Sequence, residues 1–161
     1  MDPPAQVAEI YASSYRRLVV QLYAVTGDLG EAQEAVQEAF VRLLGDPRRA
    51  AALENPESWL RRVAVNVART RHRRRRLFDT VLRRQGPPAV VPDLSPDHVM
   101  LMTALRRLPR AQRDAIALHY LADLPVEEVA RTLDVSVGTV KSRLSRGRAA
   151  LAGHLKEREP A

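Results

Sequence analysis

Apolar residues recur every three or four positions along most of the chain, which is the pattern of amphipathic helices packed against a core. A first helix is predicted over residues 5–27, and its stripe consists of Ile10, Leu18, Leu22 and Val25. A second is predicted over about 30–44, with a stripe of Ala32, Val36, Phe40, Leu43 and Leu44. Aromatic residues make up only 4% of the chain, so its core must be built mainly from Leu, Val and Ala, which suits helices.

The next segments divide the chain into two blocks. Gly45, Pro47 and Pro56 predict a loop over 45–56, and a third helix follows with a stripe of Trp59, Leu60, Val63 and Val67. Residues 85–96, QGPPAVVPDLSP, hold four prolines and one glycine and predict a linker. We therefore expect two small helical domains, residues 1–84 and 97–161, the second opening with helices 97–108 and 110–122.

The second block ends in a predicted helix-turn-helix. VEEVARTL and VGTVKSRLSRGRAAL read as two helices joined by the three-residue turn DVS. Pro125 suits a first-turn position, and Ser136 is a good N-cap for the second helix. Helical geometry places four residues of the second helix towards the core: Val140, Leu144, Gly147 and Leu151.

The remaining positions of this second helix predict a DNA-reading surface. The residues expected to face bases are Lys141, Ser142, Ser145 and Arg146, and those expected to contact the backbone are Thr139, Arg143 and Arg148. The alternative is an ordinary basic amphipathic helix with a solvated face. The small Gly138 and the preceding VEEVARTL helix favour the DNA-reading interpretation.

Composition narrows the function classes. The net charge is +7, and of the 26 cationic side chains only Lys141 and Lys156 are lysines, which favours a polyanionic partner. The chain has no cysteine, no evident signal peptide and no apolar run long enough to span a bilayer, so a soluble cytoplasmic protein is expected. The four histidines lack metal-ligand spacing and no catalytic constellation or phosphate-binding loop is present, so no metal, no cofactor and no enzymatic activity are predicted.

Three motifs in order carry a resemblance to a known family. EAQEAVQEAFVRLL, NPESWLRRVAVNVARTRHR and VEEVARTLDVSVGTVKSRLSRGRAAL resemble the core-binding, promoter-melting and DNA-binding regions of bacterial RNA polymerase sigma factors. The likeness is to the sigma-70 family, in particular the extracytoplasmic-function (ECF) group and an actinobacterial subgroup of it. It implies an all-α protein with region 2-like and region 4-like domains. Such a protein binds core RNA polymerase, recognises promoter DNA at the −10 and −35 elements, and is often held by an anti-sigma factor.

The resemblance also implies roles for residues of the first block. The helix that docks on core polymerase would use Glu34, Gln37, Glu38 and Phe40, although the spacing of Phe40 also fits core packing. The −10 element and the DNA backbone would be bound by Arg61, Arg62, Asn66, Arg69, Arg71 and Arg73. Loop 45–56 corresponds to the segment that pockets a flipped base, with Arg48, Arg49 and Asn55 as candidates. Thr70 stands where many members carry Asp, which leaves the −10 preference open.

A second function class uses the same helix-turn-helix. A polymerase-independent repressor or activator would bind DNA through it, usually as a dimer on a palindrome. Such a regulator has no need of a core-binding helix, so the first block argues against it. A membrane-surface protein fits less well, because no predicted helix has a large exposed aromatic face.

Overall fold

The computed structural model describes residues 2–78 and 95–156, and the chain divides into two compact units, Met1–Ala89 and Val90–Ala161. Within the described ranges the secondary structure is helical throughout, with no strand, which confirms the predicted all-α class. Most of the expected linker 85–96 lies outside the described residues. Its last two residues do not: Ser95 caps the helix that Pro96 begins, and the Ser95 hydroxyl accepts a hydrogen bond from the His98 amide at 3.2 Å.

The first unit contains four helices: α1 Pro3–Thr26, α2 Leu29–Leu44, α3 Pro47–Ala52 and α4 Pro56–Phe78. Its core contains most residues of the predicted stripes of α1, α2 and α4, and its fully buried large side chains include Leu18, Leu22, Val36, Leu43 and Leu60. Three residues of the predicted stripes are only half-buried: Ile10, Trp59 and Val63. The predicted stripe of α2 was wrong at Leu44, whose side chain is 52% exposed. This residue ends α2, so nothing packs over it.

Turn chemistry explains where these helices begin and end. Gly27 ends α1 in the left-handed region, at φ 72°, and its amide donates to the Tyr23 carbonyl at 2.8 Å. The carboxylate of Asp28 then caps α2 by accepting from the Glu31 amide at 2.9 Å. The loop predicted over 45–56 contains a helix of its own, because Asp46 caps α3 and Pro47 occupies its first turn.

The second unit contains α5 Pro96–Leu105, α6 Arg110–Ile116, α7 Val126–Leu133 and α8 Val137–Lys156. Residues Ala117–Leu121 continue α6 as one π-helical turn, so the expected continuous helix 110–122 changes its hydrogen bonding halfway. The expected helix 97–108 ends at Leu105, three residues early. The predicted helix-turn-helix is present: Asp134 adopts φ 56° in the turn, and the Ser136 hydroxyl accepts from the Thr139 amide at 3.1 Å.

Gly147 of α8 packs directly against α6. A Cβ atom built on it would lie 2.8 Å from Cγ1 of Ile116 and 3.5 Å from Cβ of Gln112. The missing side chain therefore lets α8 approach α6 closely. Val140, Leu144 and Gly147 are buried as predicted, while Leu151 is half-buried.

Candidate nucleic-acid interface

The outer face of α8 is open. Its four predicted base-facing residues are all exposed, and none makes a hydrogen bond or ion pair with another described residue: Lys141, Ser142, Ser145 and Arg146. The opposite face of α8 is fixed in the core by Val140 and Leu144, which are 0% and 3% exposed. The helix therefore presents donors and hydroxyls to solvent from a rigid base, as a recognition helix requires.

The three expected backbone contacts differ from one another. Thr139 is half-buried, and its hydroxyl lies 2.8 Å from that of Ser136, within the cap of α8. Arg143 is half-buried. Arg148 donates a hydrogen bond from its NH1 to the Tyr120 hydroxyl at 2.9 Å and lies on the other side of the helix from Arg146. In this geometry the Arg148 guanidinium faces the π-helical turn and is turned away from the side of α8 that carries Arg146.

Beside Arg148 is an apolar groove of about 380 Å³ that the sequence analysis did not predict. It runs between α5, the π-helical turn and the C-terminal half of α8, and Leu101, Leu105, Leu121, Leu151 and Leu155 are among its walls. The only signal in the sequence was the presence of Leu151 and Leu155 beyond the buried part of α8. Helical geometry placed Leu151 towards the core but could not identify the residues that face Leu151 and Leu155, because those residues lie on helices distant in sequence.

The second unit also contains buried charge, on α6. Asp114 is 4% exposed, and its carboxylate lies 3.9 Å from the Arg110 guanidinium. Burial lowers the pKa of the neighbouring Arg113, and this shift is opposed by the Asp114 charge and reinforced by that of Arg106. Arg110, Arg113 and Asp114 lie on α6 and are not among the residues predicted to contact DNA.

In the first unit, α4 carries the predicted −10 and backbone residues. Asn66 and Arg73 are exposed, whereas Arg62, Arg69 and Arg71 are half-buried. Arg71 pairs with Glu34 of α2, with NH1 3.2 Å from Oε2. Asn66, Thr70 and Arg74 follow one another at four-residue intervals along one wall of a groove of about 240 Å³, which Glu38 and Arg42 complete from α2.

Arg61, which the sequence analysis predicted to contact DNA, does not lie on the exposed surface of α4. Its side chain is buried, Nε donates to Oε1 of Gln21 at 2.9 Å, and NH2 lies 3.6 Å from Oε2 of Glu57. The guanidinium thus joins α4 to α1 inside the unit. Removing it would leave the buried Gln21 amide oxygen without this donor, whereas Glu57 would keep its hydrogen bond from Arg17.

The predicted polymerase-docking face of α2 is partly apolar. Gln37 and Glu34 are exposed and Glu38 is half-buried, as expected for a polar docking surface. Beside them, Val41 is 61% exposed and Leu44 is 52% exposed, and neither was predicted to belong to the face. With Gln37 they occupy positions i, i+4 and i+7 of α2, so the three side chains share one side of the helix.

Phe40 supports this face from beneath. It is 3% exposed, and its ring lies edge-on to Tyr11 with centroids 5.0 Å apart. Tyr11 in turn stacks on Tyr15 at 4.5 Å, and the Tyr15 hydroxyl accepts a hydrogen bond from the Gln37 amide at 3.3 Å. Of the two interpretations left open by the sequence, the structure places the Phe40 ring in the core, where it fixes α2 against α1.

The candidates for a flipped-base pocket lie around α3. Asn55 caps α4, since its amide oxygen accepts from the Ser58 amide at 3.1 Å. The Arg49 guanidinium lies over the Trp59 ring at 5.4 Å from its centroid and also pairs with Asp46 at 3.2 Å. Arg48 is exposed. Asn55 and Arg49 therefore have structural partners.

In the described ranges, no group of three or more His, Cys, Asp or Glu residues could hold a metal ion. None of the described helices is long and apolar enough to cross a membrane.

The fold and the open face of α8 define an all-α helix-turn-helix protein of two units, and comparison with known proteins identifies the family. Residues 10–78 match the family model "Sigma-70 region 2", and residues 98–151 match "Sigma-70, region 4". The chain is 36% identical to the RNA polymerase sigma-E factor of Streptomyces avermitilis over 132 residues, covering 80% of this chain and 73% of the relative. It is 28% identical to the ECF RNA polymerase sigma factor SigW of Bacillus subtilis, covering 97% of this chain and 90% of the relative.

Solved structures have the same fold. The sigma factor RpoE of Bartonella quintana, solved in complex with the anti-sigma factor NepR, matches with a TM-score of 0.74 at 23% identity, over 94% of this chain and 98% of that one. The ECF sigma factor SigJ of Mycobacterium tuberculosis matches with a TM-score of 0.63 at 27% identity, over 90% of this chain and 52% of that one. The chain therefore belongs to the sigma-70 family of RNA polymerase sigma factors, in its ECF group.

Proposed function

We propose that this chain binds core RNA polymerase and directs it to promoters, as an ECF-type sigma factor. The observation that carries the proposal is the open face of α8, where four exposed polar and basic side chains have no partner among the described residues. A recognition helix of this kind suits the major groove. Family membership supplies the partner, because the relatives are named as RNA polymerase sigma factors.

The second unit is proposed to read the −35 element. Lys141, Ser142, Ser145 and Arg146 would face base edges, with Thr139 and Arg143 nearer the phosphates. Arg148 must release the Tyr120 hydroxyl before it can contact a phosphate. We therefore expect it to contribute less to DNA affinity than the other arginines of α8.

The first unit is proposed to join polymerase to the −10 element. Its α2 face offers polymerase two carboxylates, the Gln37 amide, and the exposed Val41 and Leu44 side chains. An apolar centre with a polar rim is the usual composition of a protein–protein interface. On α4 the proposed DNA contacts are Arg62, Asn66, Arg69, Arg71 and Arg73, with Arg61 excluded by its burial.

The remaining roles follow from this assignment. The chemistry of RNA synthesis would belong to the polymerase, so the chain itself is proposed to have no catalytic activity and to act in the cytoplasm, where promoters are transcribed. An anti-sigma factor is a further proposed partner, supported by the Bartonella quintana RpoE complex with NepR. The alternative function, a polymerase-independent regulator, would use only the helix-turn-helix of the second unit.

Co-purification with core polymerase separates the two functions. The wild-type chain should elute with core enzyme, whereas Val41→Asp should not, because an additional carboxylate at the centre of the α2 face would have to be desolvated on docking. Ala12→Asp is the matched control, since it adds the same charge at an exposed position on α1. A wild-type chain that does not associate with core polymerase but binds a palindromic DNA as a dimer would contradict the sigma-factor assignment.

A further inference from the structure

We propose that the free chain holds two arginines of α4 on two carboxylates of α2, and that this contact couples polymerase docking to DNA binding. The proposal rests on the proposed function, because it concerns the same two surfaces. Arg71 pairs with Glu34 at 3.2 Å, and Arg75 pairs with Glu31. We call these two contacts the α2–α4 ion pairs.

Helical geometry makes the two contacts a single feature. Arg71 and Arg75 are four residues apart on α4, and Glu31 and Glu34 are three apart on α2, so each pair of positions lies on one side of its helix. The facing sides therefore carry opposite charges in register. The side chains are partly exposed, at 38% and 61% for Arg71 and Glu34, and at 47% and 28% for Arg75 and Glu31. Contacts this exposed can open without unfolding the unit.

Arg71 and Arg75 belong to the basic segment 71–76 of α4, which also contains arginines that are not paired with a described carboxylate. Arg73, Arg74 and Arg76 are exposed and form no ion pair with another described residue. Arg71 and Arg75 pair with α2, and Arg74 lines the groove beside α2 without an ion pair to a described residue. Arg73 points away from α2, because it lies ~200° around the helix from both residues 71 and 75. The run is thus divided into arginines that are available to phosphate at once and arginines that must first leave a carboxylate.

The division matters because each member of one ion pair belongs to a different proposed interface. Glu34 lies on the polymerase-docking face and Arg71 on the DNA-binding face. When polymerase engages Glu34, Arg71 loses its internal partner and becomes available to a phosphate. When DNA engages Arg71, Glu34 becomes available to polymerase. The first ligand bears the cost of separating the pair and the second does not, so the two bind with positive coupling, which is reciprocal by thermodynamic necessity.

Exposed ion pairs are weak, so the coupling is modest. Each contact should change affinity roughly 1.5- to 5-fold at low ionic strength, and less as salt screens it. The α2–α4 ion pairs thus lower the affinity of the free chain for DNA without abolishing it. Their effect is to favour DNA binding after polymerase has docked.

A double-mutant cycle on the full chain tests the competition without polymerase. The probe is a fluorescein-labelled oligonucleotide with a duplex part and a single-stranded part, and fluorescence anisotropy at low ionic strength gives the dissociation constant. Glu34→Gln should tighten binding about 2- to 5-fold, and Arg71→Gln should weaken it several-fold more in the Glu34→Gln chain than in the wild type. Circular dichroism of each variant should be unchanged.

A matched control cycle isolates the contact from general charge effects. Glu34→Gln combined with Arg73→Gln makes the same change in net charge on the same helices, but Arg73 has no carboxylate partner among the described residues. This second cycle should be additive within experimental error. If the Arg71 cycle is equally additive, Arg71 is not held by Glu34 in solution and the proposal is wrong.

The second arm repeats the measurement with saturating core polymerase. Arg71→Gln should then weaken DNA binding as much as it does in the polymerase-free Glu34→Gln chain, since docking has removed the internal partner. If Arg71→Gln weakens DNA binding no more with polymerase than it does in the polymerase-free wild-type chain, the coupling is refuted. A third outcome is that the Arg71 cycle is non-additive but the chain does not bind polymerase. This result would refute the proposed function and the coupling, and would support only the claim that Glu34 and DNA compete for Arg71.

Discussion

The close approach of α8 to α6 at Gly147 predicts that adding one methyl group will loosen the recognition helix. In Gly147→Ala the new Cβ would lie 2.8 Å from Cγ1 and 3.2 Å from Cδ1 of Ile116. Carbon atoms in contact are usually about 3.5–4.0 Å apart, so α8 or Ile116 must move. Ile116 is 2% exposed and ends α6, and its side chain also lines the apolar groove, so it can relieve part of the clash by moving into that groove.

Two opposing terms set the size of the effect. Alanine in place of glycine within a helix ordinarily stabilises by about 0.5–1 kcal/mol. Overpacking a filled site costs about 1–3 kcal/mol, so Gly147→Ala should lower the free energy of unfolding by up to about 2 kcal/mol. Gly153→Ala is the control on the same helix, because nothing lies within 4 Å of its added Cβ. This variant should show the helix-propensity gain alone.

Native-state hydrogen exchange of the full chain measures this difference. Peptides from α8 should exchange faster in Gly147→Ala and slower in Gly153→Ala, while peptides from α2 in the first unit should be unchanged. Ile116→Ala removes the atoms that the new methyl group would strike, so in that background Gly147→Ala should be stabilising. Equal protection of α8 in the two glycine variants would refute the reasoning, since it would mean that α8 does not pack against Ile116 at this distance.

Three further predictions concern the surfaces themselves. Arg146→Ala should weaken −35 binding by about 1–3 kcal/mol and relax the preference at one base pair, as measured by binding to a set of single-base variants; an unchanged preference would count against base reading. Arg73→Ala should weaken binding to all sequences and reduce the slope of log affinity against log salt by about 1; a loss limited to one sequence would instead identify a base contact. Ser136→Ala should destabilise α8 by about 1 kcal/mol through loss of the cap on the Thr139 amide, seen as faster exchange at the start of α8; unchanged exchange there would mean that the cap is not maintained in solution.

Features that depend on local chemistry were predictable from the sequence. The helix-turn-helix, the end of α1 at Gly27 and the cap at Ser136 each follow from residues within a few positions of one another. The short helix α3 carried the same kind of signal, an aspartate followed by a proline and a run of alanines, but the prolines around it favoured a loop interpretation.

Features that depend on distant partners were not predictable. The sequence analysis grouped Arg61 with the other arginines of α4. Its buried hydrogen bond to Gln21, forty residues away, depends on how α1 packs against α4. Leu44 continues an apolar stripe but lies beyond the end of the packed surface. The α2–α4 ion pairs likewise need the register of two helices, which no pattern within either helix contains.

In vitro transcription with purified core polymerase tests the central claim most directly. Over a library of candidate promoters, the wild-type chain should support initiation from a subset that shares −35 and −10 sequences, and core enzyme alone should not. Arg146→Ala should lower the yield from that subset, and Val41→Asp should abolish it, while Ala12→Asp should transcribe like the wild type. No promoter-directed transcript from any template, with an active core enzyme verified by a reference sigma factor, would contradict the account.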